Sequence, residues 1–167
     1  MTKTALITGA SYGIGAEFAR YHAQRGGDVI VTARSEDKLK TLAAALEAEY
    51  EIKAHVFAAD LGTADGPAAL IEKITAAGVQ VDILINNAGF GGQGRHIDRP
   101  LADEQEMIDL NVKALVALSH HFGREMAKRA GPHLERRLLR RLHARPAAGS
   151  LFCDQSFCAK LLPSPRS

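Results

Sequence analysis

From Thr4 to Lys128 the chain alternates between two rhythms of apolar residues. Short unbroken runs at 4–8 (TALIT), 29–32 (VIVT), 54–58 (AHVFA) and 81–85 (VDILI) predict buried strands. The stretches between them carry apolar residues at helical spacing. One helix is predicted over 14–25 (IGAEFARYHAQR), stopped by Gly26 and Gly27. A second is predicted over 35–49, with Ser35 as its cap and Leu39, Leu42 and Leu46 as one stripe. Residues 64–77 predict a third. Residues 102–128 carry further helical patterning, with Leu115, Leu118, Phe122 and Met126 on one side. Fully apolar strands alternating with amphipathic helices predict an α/β fold, a doubly wound parallel sheet covered on both faces.

The pattern stops near residue 130. Beyond it comes a run such as Arg136-Arg137-Leu138-Leu139-Arg140-Arg141, which has no strand or core-helix period. The overall +2 charge hides this break. Residues 1–129 hold 14 Lys+Arg against 17 Asp+Glu, whereas 130–167 hold 7 against 2. Both cysteines, Cys153 and Cys158, and four of the six prolines also fall in the tail. The chain is therefore expected to divide in two: 1–129 as a nucleotide-binding domain, and 130–167 as a poorly ordered tail that forms no stable strand. A short helix over 134–143 is allowed by propensity alone. A body without cysteines, with strand-like sequence right after Met1-Thr2-Lys3, leads us to expect a cytoplasmic protein without a targeting or membrane segment.

The chemistry concentrates at the ends of the predicted strands. Thr8, Gly9, Ala10, Ser11, Tyr12, Gly13, Ile14 and Gly15 (TGASYGIG) turn a strand into a helix. Gly9 permits the tight turn, Gly13 lets a pyrophosphate approach the backbone, and Gly15 permits close packing of helix on strand. The helix start then offers free N–H groups and its dipole to phosphates. Asp60 and Leu61 end the third strand. Asn86, Asn87, Ala88 and Gly89 (NNAG) end the fourth and lead into a glycine-rich loop over 89–94 (GFGGQG). Asn111 lies in a helical DLNVKA segment. In a parallel sheet these strand ends share one edge, where ligands bind.

In these motifs, their order and their spacing, residues 3–129 resemble the short-chain dehydrogenase/reductase family. The resemblance implies a Rossmann-type fold, a nicotinamide cofactor, and an oxidoreductase acting on a small carbonyl or secondary alcohol. It implies that Asp60 lies beside the adenine and that Asn87, Ala88 and Gly89 line the cofactor pocket, with Asn86 structural. It also implies that Asn111 takes part in catalysis, by holding a water of the proton relay. An intact family member is expected to be a homo-oligomer, with neither nucleic acid nor membrane as partner.

The second strand ends Thr32-Ala33-Arg34-Ser35. An acidic residue there would take the ribose hydroxyls of NAD, whereas Arg34 can pair with the 2′-phosphate of NADP. NADP is therefore the expected cofactor, ahead of NAD. No metal site is expected: His120 and His121 are adjacent on a helix and point apart. His96 reads as a surface residue of its loop. Asp103, Glu104 and Glu106 read as charges favourable to a helix start.

Family members continue with a strand carrying a serine and then a Tyr-x-x-x-Lys turn, but this chain has no tyrosine after Tyr50. Back-translation offers a reason. Codons compatible with residues 133–156, read one base later, spell ILNVASSAAFMPG and then PLQAVYFATK. The recovered serine codon straddles Leu138 and Leu139, the tyrosine codon Leu151 and Phe152, and the lysine codon Gln155 and Ser156. Third bases are free choices, but the first two are largely fixed by the residues. We therefore expect a frameshift between 128 and 132, and a chain that as written lacks catalytic serine, tyrosine and lysine. The rival reading is a non-catalytic nucleotide-binding module whose basic tail contacts nucleic acid.

Overall fold

The computed structural model describes residues 2–130. Readings that concern the tail, including its lack of a strand, the helix over 134–143, the arginine run and both cysteines, lie outside the described residues. Four strands form one parallel sheet: β1 (Ala5–Thr8), β2 (Val29–Thr32), β3 (Ala54–Val56) and β4 (Ile83–Ile85). Their order is β3-β2-β1-β4, so β1 is central and the chain reverses direction across the sheet between β3 and β4. Register pairs Ala5 with Val29 on one side and with Ile83 on the other. Among the described residues β4 pairs with β1 alone, leaving its far edge open.

Among the described residues there are five α-helices, α1 (Gly13–Ala23), α2 (Glu36–Tyr50), α3 (Gly66–Ala76), α4 (Leu101–Ile108) and α5 (Leu115–Ala130), of which α1, α2, α3 and α5 pack on the sheet. Alternate side chains of β1 and β2 feed opposite faces. Ala5, Ile7, Val29 and Val31 pack against α1 and α2, including Leu39, Leu42 and Leu46. Leu6 and Ile30 pack against α3 and α5 through Leu70, Ile74, Leu118 and Phe122. Each buried aliphatic side chain of this kind contributes about 1.5–3 kcal/mol, which is why the two stripes lock the helices to their faces. Met126 joins the second cluster, as the periodicity implied.

The details depart from the sequence-based expectation in several places. The ladder of β3 is shorter than predicted, although Phe57 and Ala59 still donate to the carbonyls of Val31 and Ala33. β4 likewise begins two residues later than expected. Ser35 occupies the cap position of α2, but its hydroxyl makes no capping hydrogen bond. The long helical stretch is broken: a π-helical segment, Asp109–Ala114, separates α4 from α5, and a 3₁₀ turn, His96–Asp98, precedes α4. α2 also ends on Glu51 at φ 53°, a left-handed position where glycine would carry no strain. No helix among the described residues is long and apolar enough to cross a membrane.

Candidate functional site

The reversal between β3 and β4 opens a crevice beyond the carboxyl ends of β1 and β4, the place where open α/β sheets bind ligands. Its floor is a knot of hydrogen bonds. Thr8 is 1% exposed, and its Oγ1 accepts from the backbone N–H groups of Asn87 and Ala88, both at 2.9 Å. The Asn87 amide in turn donates to the carbonyls of Thr8 (3.0 Å) and Gly9 (3.3 Å). Thr8 and Asn87, expected at the cofactor, thus use their polar groups to join two strand ends. Asn86 donates to Ser119 Oγ at 2.9 Å, anchoring β4 to α5, in keeping with a structural role.

The glycine turn fits a pyrophosphate. Gly9 and Gly13 have φ of +67° and +60°, which L side chains avoid. A Cβ on Gly15 would lie 2.3 Å from the Gly9 carbonyl oxygen, so α1 packs against the turn at a distance only glycine permits. A Cβ on Gly13 would meet nothing within 4 Å, leaving that side of the backbone open to a ligand. Tyr12 precedes α1 without a side-chain capping bond, so the first N–H groups of the helix face outward unclaimed by its cap. Tyr12 and Ile14 are large residues left exposed beside this opening, and Ser11 is half-buried.

Charge gathers at the end of β2. Arg34 is exposed and makes no ion pair among the described residues. The neighbouring Glu36 carboxylate is turned to Lys40 at 2.8 Å. Hydrogen bonding to that ammonium, and then its charge, hold the Glu36 carboxyl below the usual range. The anion closest in sequence to Arg34 is therefore already matched. Lys38 Nζ stands 5.8 Å from the Tyr12 ring, a second cation on this side.

The remaining predicted residues divide between surface, core and loop. Asp60 is exposed beyond the end of β3, with its Oδ1 accepting from the Gly62 N–H at 3.0 Å. Leu61, expected at the cofactor, is buried at 5% exposure in the cluster beneath α3 and α5. Asn111 sits in the π-helical segment, a local geometry frequent at functional sites. Its side chain is committed to the glycine-rich loop: Oδ1 accepts from the Phe90 N–H at 3.1 Å, and Nδ2 donates to the Phe90 carbonyl at 2.7 Å. Gly89 and Phe90 are exposed at the mouth of the crevice, while Ala88 is half-buried and packs on the core.

The acidic cluster of α4 needs correction. Glu104 is not a solvated charge at a helix start; it is 8% exposed. Its Oε1 lies 3.0 Å from Arg99 Nε and 3.3 Å from His96 Nδ1, ion-pair distances without hydrogen-bond alignment. A sequence signal existed in the basic pair His96 and Arg99 placed just before Pro100 and the helix. His96 itself is exposed, as expected for its loop. Among the described residues no group of three or more His, Cys, Asp or Glu is arranged to hold a metal ion. A groove of about 320 Å³ between α3 and α5, lined by Ala64, Pro67, Ile71, Asp109 and Lys113 among others, shares no residue with the glycine turn.

Comparison with known proteins agrees with this geometry. The family profile described as short chain dehydrogenase matches residues 3–133. A very-long-chain 3-oxoacyl-CoA reductase of Scheffersomyces stipitis is 37% identical over 124 residues, covering 70% of this chain and 34% of the relative. Serine 3-dehydrogenase of Agrobacterium fabrum is 33% identical, over 78% of this chain and 51% of the enzyme. Among solved structures, L-sorbose reductase of Gluconobacter frateurii, complexed with NADPH and L-sorbose, superposes with a TM-score of 0.73. It shares 31% identity over 77% of this chain and 49% of that one. A short-chain dehydrogenase from Sphingobium yanoikuyae in complex with NADPH gives a TM-score of 0.67. Its identity is 37%, over 72% of this chain and 46% of that one. The chain thus spans about half the length of such relatives, or less. With a profile match running from β1 past α5, and the same parallel sheet in its structural neighbours, the chain belongs to the short-chain dehydrogenase family.

Proposed function

We propose that residues 1–129 form the cofactor-binding half of an NADP(H)-dependent oxidoreductase. Its reaction is hydride transfer between the nicotinamide and a carbonyl or secondary alcohol. The observation that carries the cofactor choice is Arg34, exposed and unpaired at the carboxyl end of β2. A guanidinium in that position recognises the 2′-phosphate that distinguishes NADP from NAD. When bound, the cofactor supplies the hydride. The protein's part is to bind and orient it. The Gly9–Gly15 turn and the start of α1 take the pyrophosphate. Asp60 lies on the adenine side, and Ala88 and Gly89 border the nicotinamide side. Asn111 keeps Phe90, and hence the loop beside the reacting centre, in place.

The chain as written binds cofactor but does not turn it over, because the family's serine, tyrosine and lysine are missing from its sequence. Loss of general acid–base groups alone costs about 10²–10⁴-fold in rate. For an intact relative of this chain we carry the homo-oligomer reading as well, supported by the exposed Ile97, Leu101, Ile108, Val112 and Val116. Calorimetric titration of the full chain with NADPH and NADH tests the cofactor assignment. NADPH is expected to bind more tightly, and Arg34→Asp to remove that preference by about 1.5–3 kcal/mol, the worth of a hydrogen bond to a charged group. Equal affinities, unchanged by the substitution, would overturn it.

A further inference from the structure

We propose that Arg99, backed by the buried Glu104 carboxylate, is a positioning residue. It fixes Gly92 and so holds the loop over 89–94 as a preformed wall beside the nicotinamide half of the cofactor. The placement of the nicotinamide rests on the proposed function; the rest stands on geometry. Arg99 follows the 3₁₀ turn, and Glu104 lies in the first turn of α4. Their side chains are 16% and 11% exposed, with Arg99 Nε 3.0 Å from Glu104 Oε1, so the pair is largely shielded from water. A Cβ on Gly92 would lie 1.5 Å from Arg99 Cζ and 1.6 and 1.7 Å from its terminal nitrogens. The guanidinium therefore occupies the space beside the Gly92 Cα where a side chain would stand.

Gly92 is unlike the other glycines of the loop. Gly94 has φ of +90° with open space around it, so its backbone angle calls for glycine. Gly91 has neither a positive φ nor a neighbour within 4 Å. Gly92 has no positive φ and has the Arg99 guanidinium against its Cα, so a side chain there would have to displace that guanidinium. Asn111 grips the loop two residues earlier, at Phe90. The loop is thus clamped from α4 at one point and from the π-helical segment at another. An ion pair alone would be satisfied by lysine. A flat guanidinium laid against a backbone is specific to arginine.

The test uses the full chain and its Arg99→Lys, Arg99→Ala, Gly92→Ala and Arg99→Ala/Gly92→Ala variants. Three quantities are measured: melting temperature, ¹⁵N order parameters of Gly91, Gly92 and Gly94, and affinities for NADPH and for 2′,5′-ADP, which lacks the nicotinamide. Arg99→Lys is expected to keep the melting temperature near that of the parent while the loop order parameters fall from about 0.85 to below 0.6. NADPH should bind on the order of tenfold more weakly, with 2′,5′-ADP unchanged. Gly92→Ala should act in the same direction. The double variant should be no worse than Arg99→Ala, because the methyl fits once the guanidinium is gone. Parent-like loop order in Arg99→Lys, or additive effects in the double variant, would overturn the proposal. If the parent binds neither ligand, the cofactor reading fails, while the order parameters still decide whether Arg99 holds the loop.

Discussion

Replacing Thr8 by valine should unfasten the crevice floor at one atom. The side chain keeps its β-branched shape, so no cavity opens, but the hydroxyl disappears. That hydroxyl accepts two backbone N–H groups, those of Asn87 and Ala88, each at 2.9 Å in a part-buried setting. Its third contact, to the Ile85 carbonyl at 3.5 Å, is long and adds little. Each N–H left without a partner costs about 1–3 kcal/mol. Both lie beside an open crevice where water relieves part of that penalty, so a total loss of about 2–4 kcal/mol is expected. Thr8→Ser restores the acceptor and removes one methyl, costing roughly 1 kcal/mol. Urea unfolding of the three proteins measures the difference, with equal m-values confirming that the folded and unfolded states are otherwise alike. If Thr8→Val falls within about 0.5 kcal/mol of the parent, or if serine damages stability as much as valine, the knot does not carry the load assigned to it.

Gly15→Ala should lower stability by about 1–3 kcal/mol through overpacking against the Gly9 carbonyl, and an unchanged thermal melt would refute the close approach of α1. Gly13→Ala places a methyl in open space at a left-handed φ, so beyond about 1–2 kcal/mol of strain its main effect should be on cofactor affinity; equal loss of stability and binding would count against an open phosphate side. Asn111→Ala should loosen the Phe90 loop, read as faster amide exchange at Phe90. The purified chain should show no NADPH oxidation with carbonyl substrates, and restoring one base near codons 129–132 should give turnover. Activity in the chain as written, at the level of an intact relative, would remove the frameshift argument.

The alternation of apolar runs with helical stripes was enough to place four strands and their covering helices, because the strands are largely apolar, fully buried in β1 and β2 and half-buried in β3 and β4. It was enough to find the glycine turn, since Gly9, Gly13 and Gly15 each answer a backbone demand. It could not say which side chains at the strand ends look outward. Thr8, Asn87 and Leu61 sit in motif positions, yet two are spent on internal hydrogen bonds and the third on the core. That division depends on how β1 and β4 meet, a contact between residues about eighty positions apart. The π-helical segment was also invisible, because one extra residue in a turn rotates the helix face without altering composition. Glu104 was misread for a related reason: a carboxylate at a helix start is favourable in water, and only the fold of the preceding loop brings Arg99 over it. The cap at Ser35 failed the opposite way, with the expected residue in place and its hydroxyl unused.

The central position of β1 has a consequence in time. Its first neighbour, β2, follows within one helix, but its second, β4, pairs Ala5 with Ile83, across 83 − 5 = 78 positions. During synthesis at about 5–20 residues per second, β1 therefore waits roughly 4–16 s for the strand that completes its ladder. Until then the β1 backbone groups that will face β4 have no strand to pair with. In that interval the nascent chain grows to three parallel strands, β1, β2 and β3, with β1 as an apolar edge, the form that chaperones or misfolding would meet. The Thr8–Asn87–Ala88 knot can close only at the end of this wait. The bonds that join the ends of β1 and β4 are thus among the later ones to form.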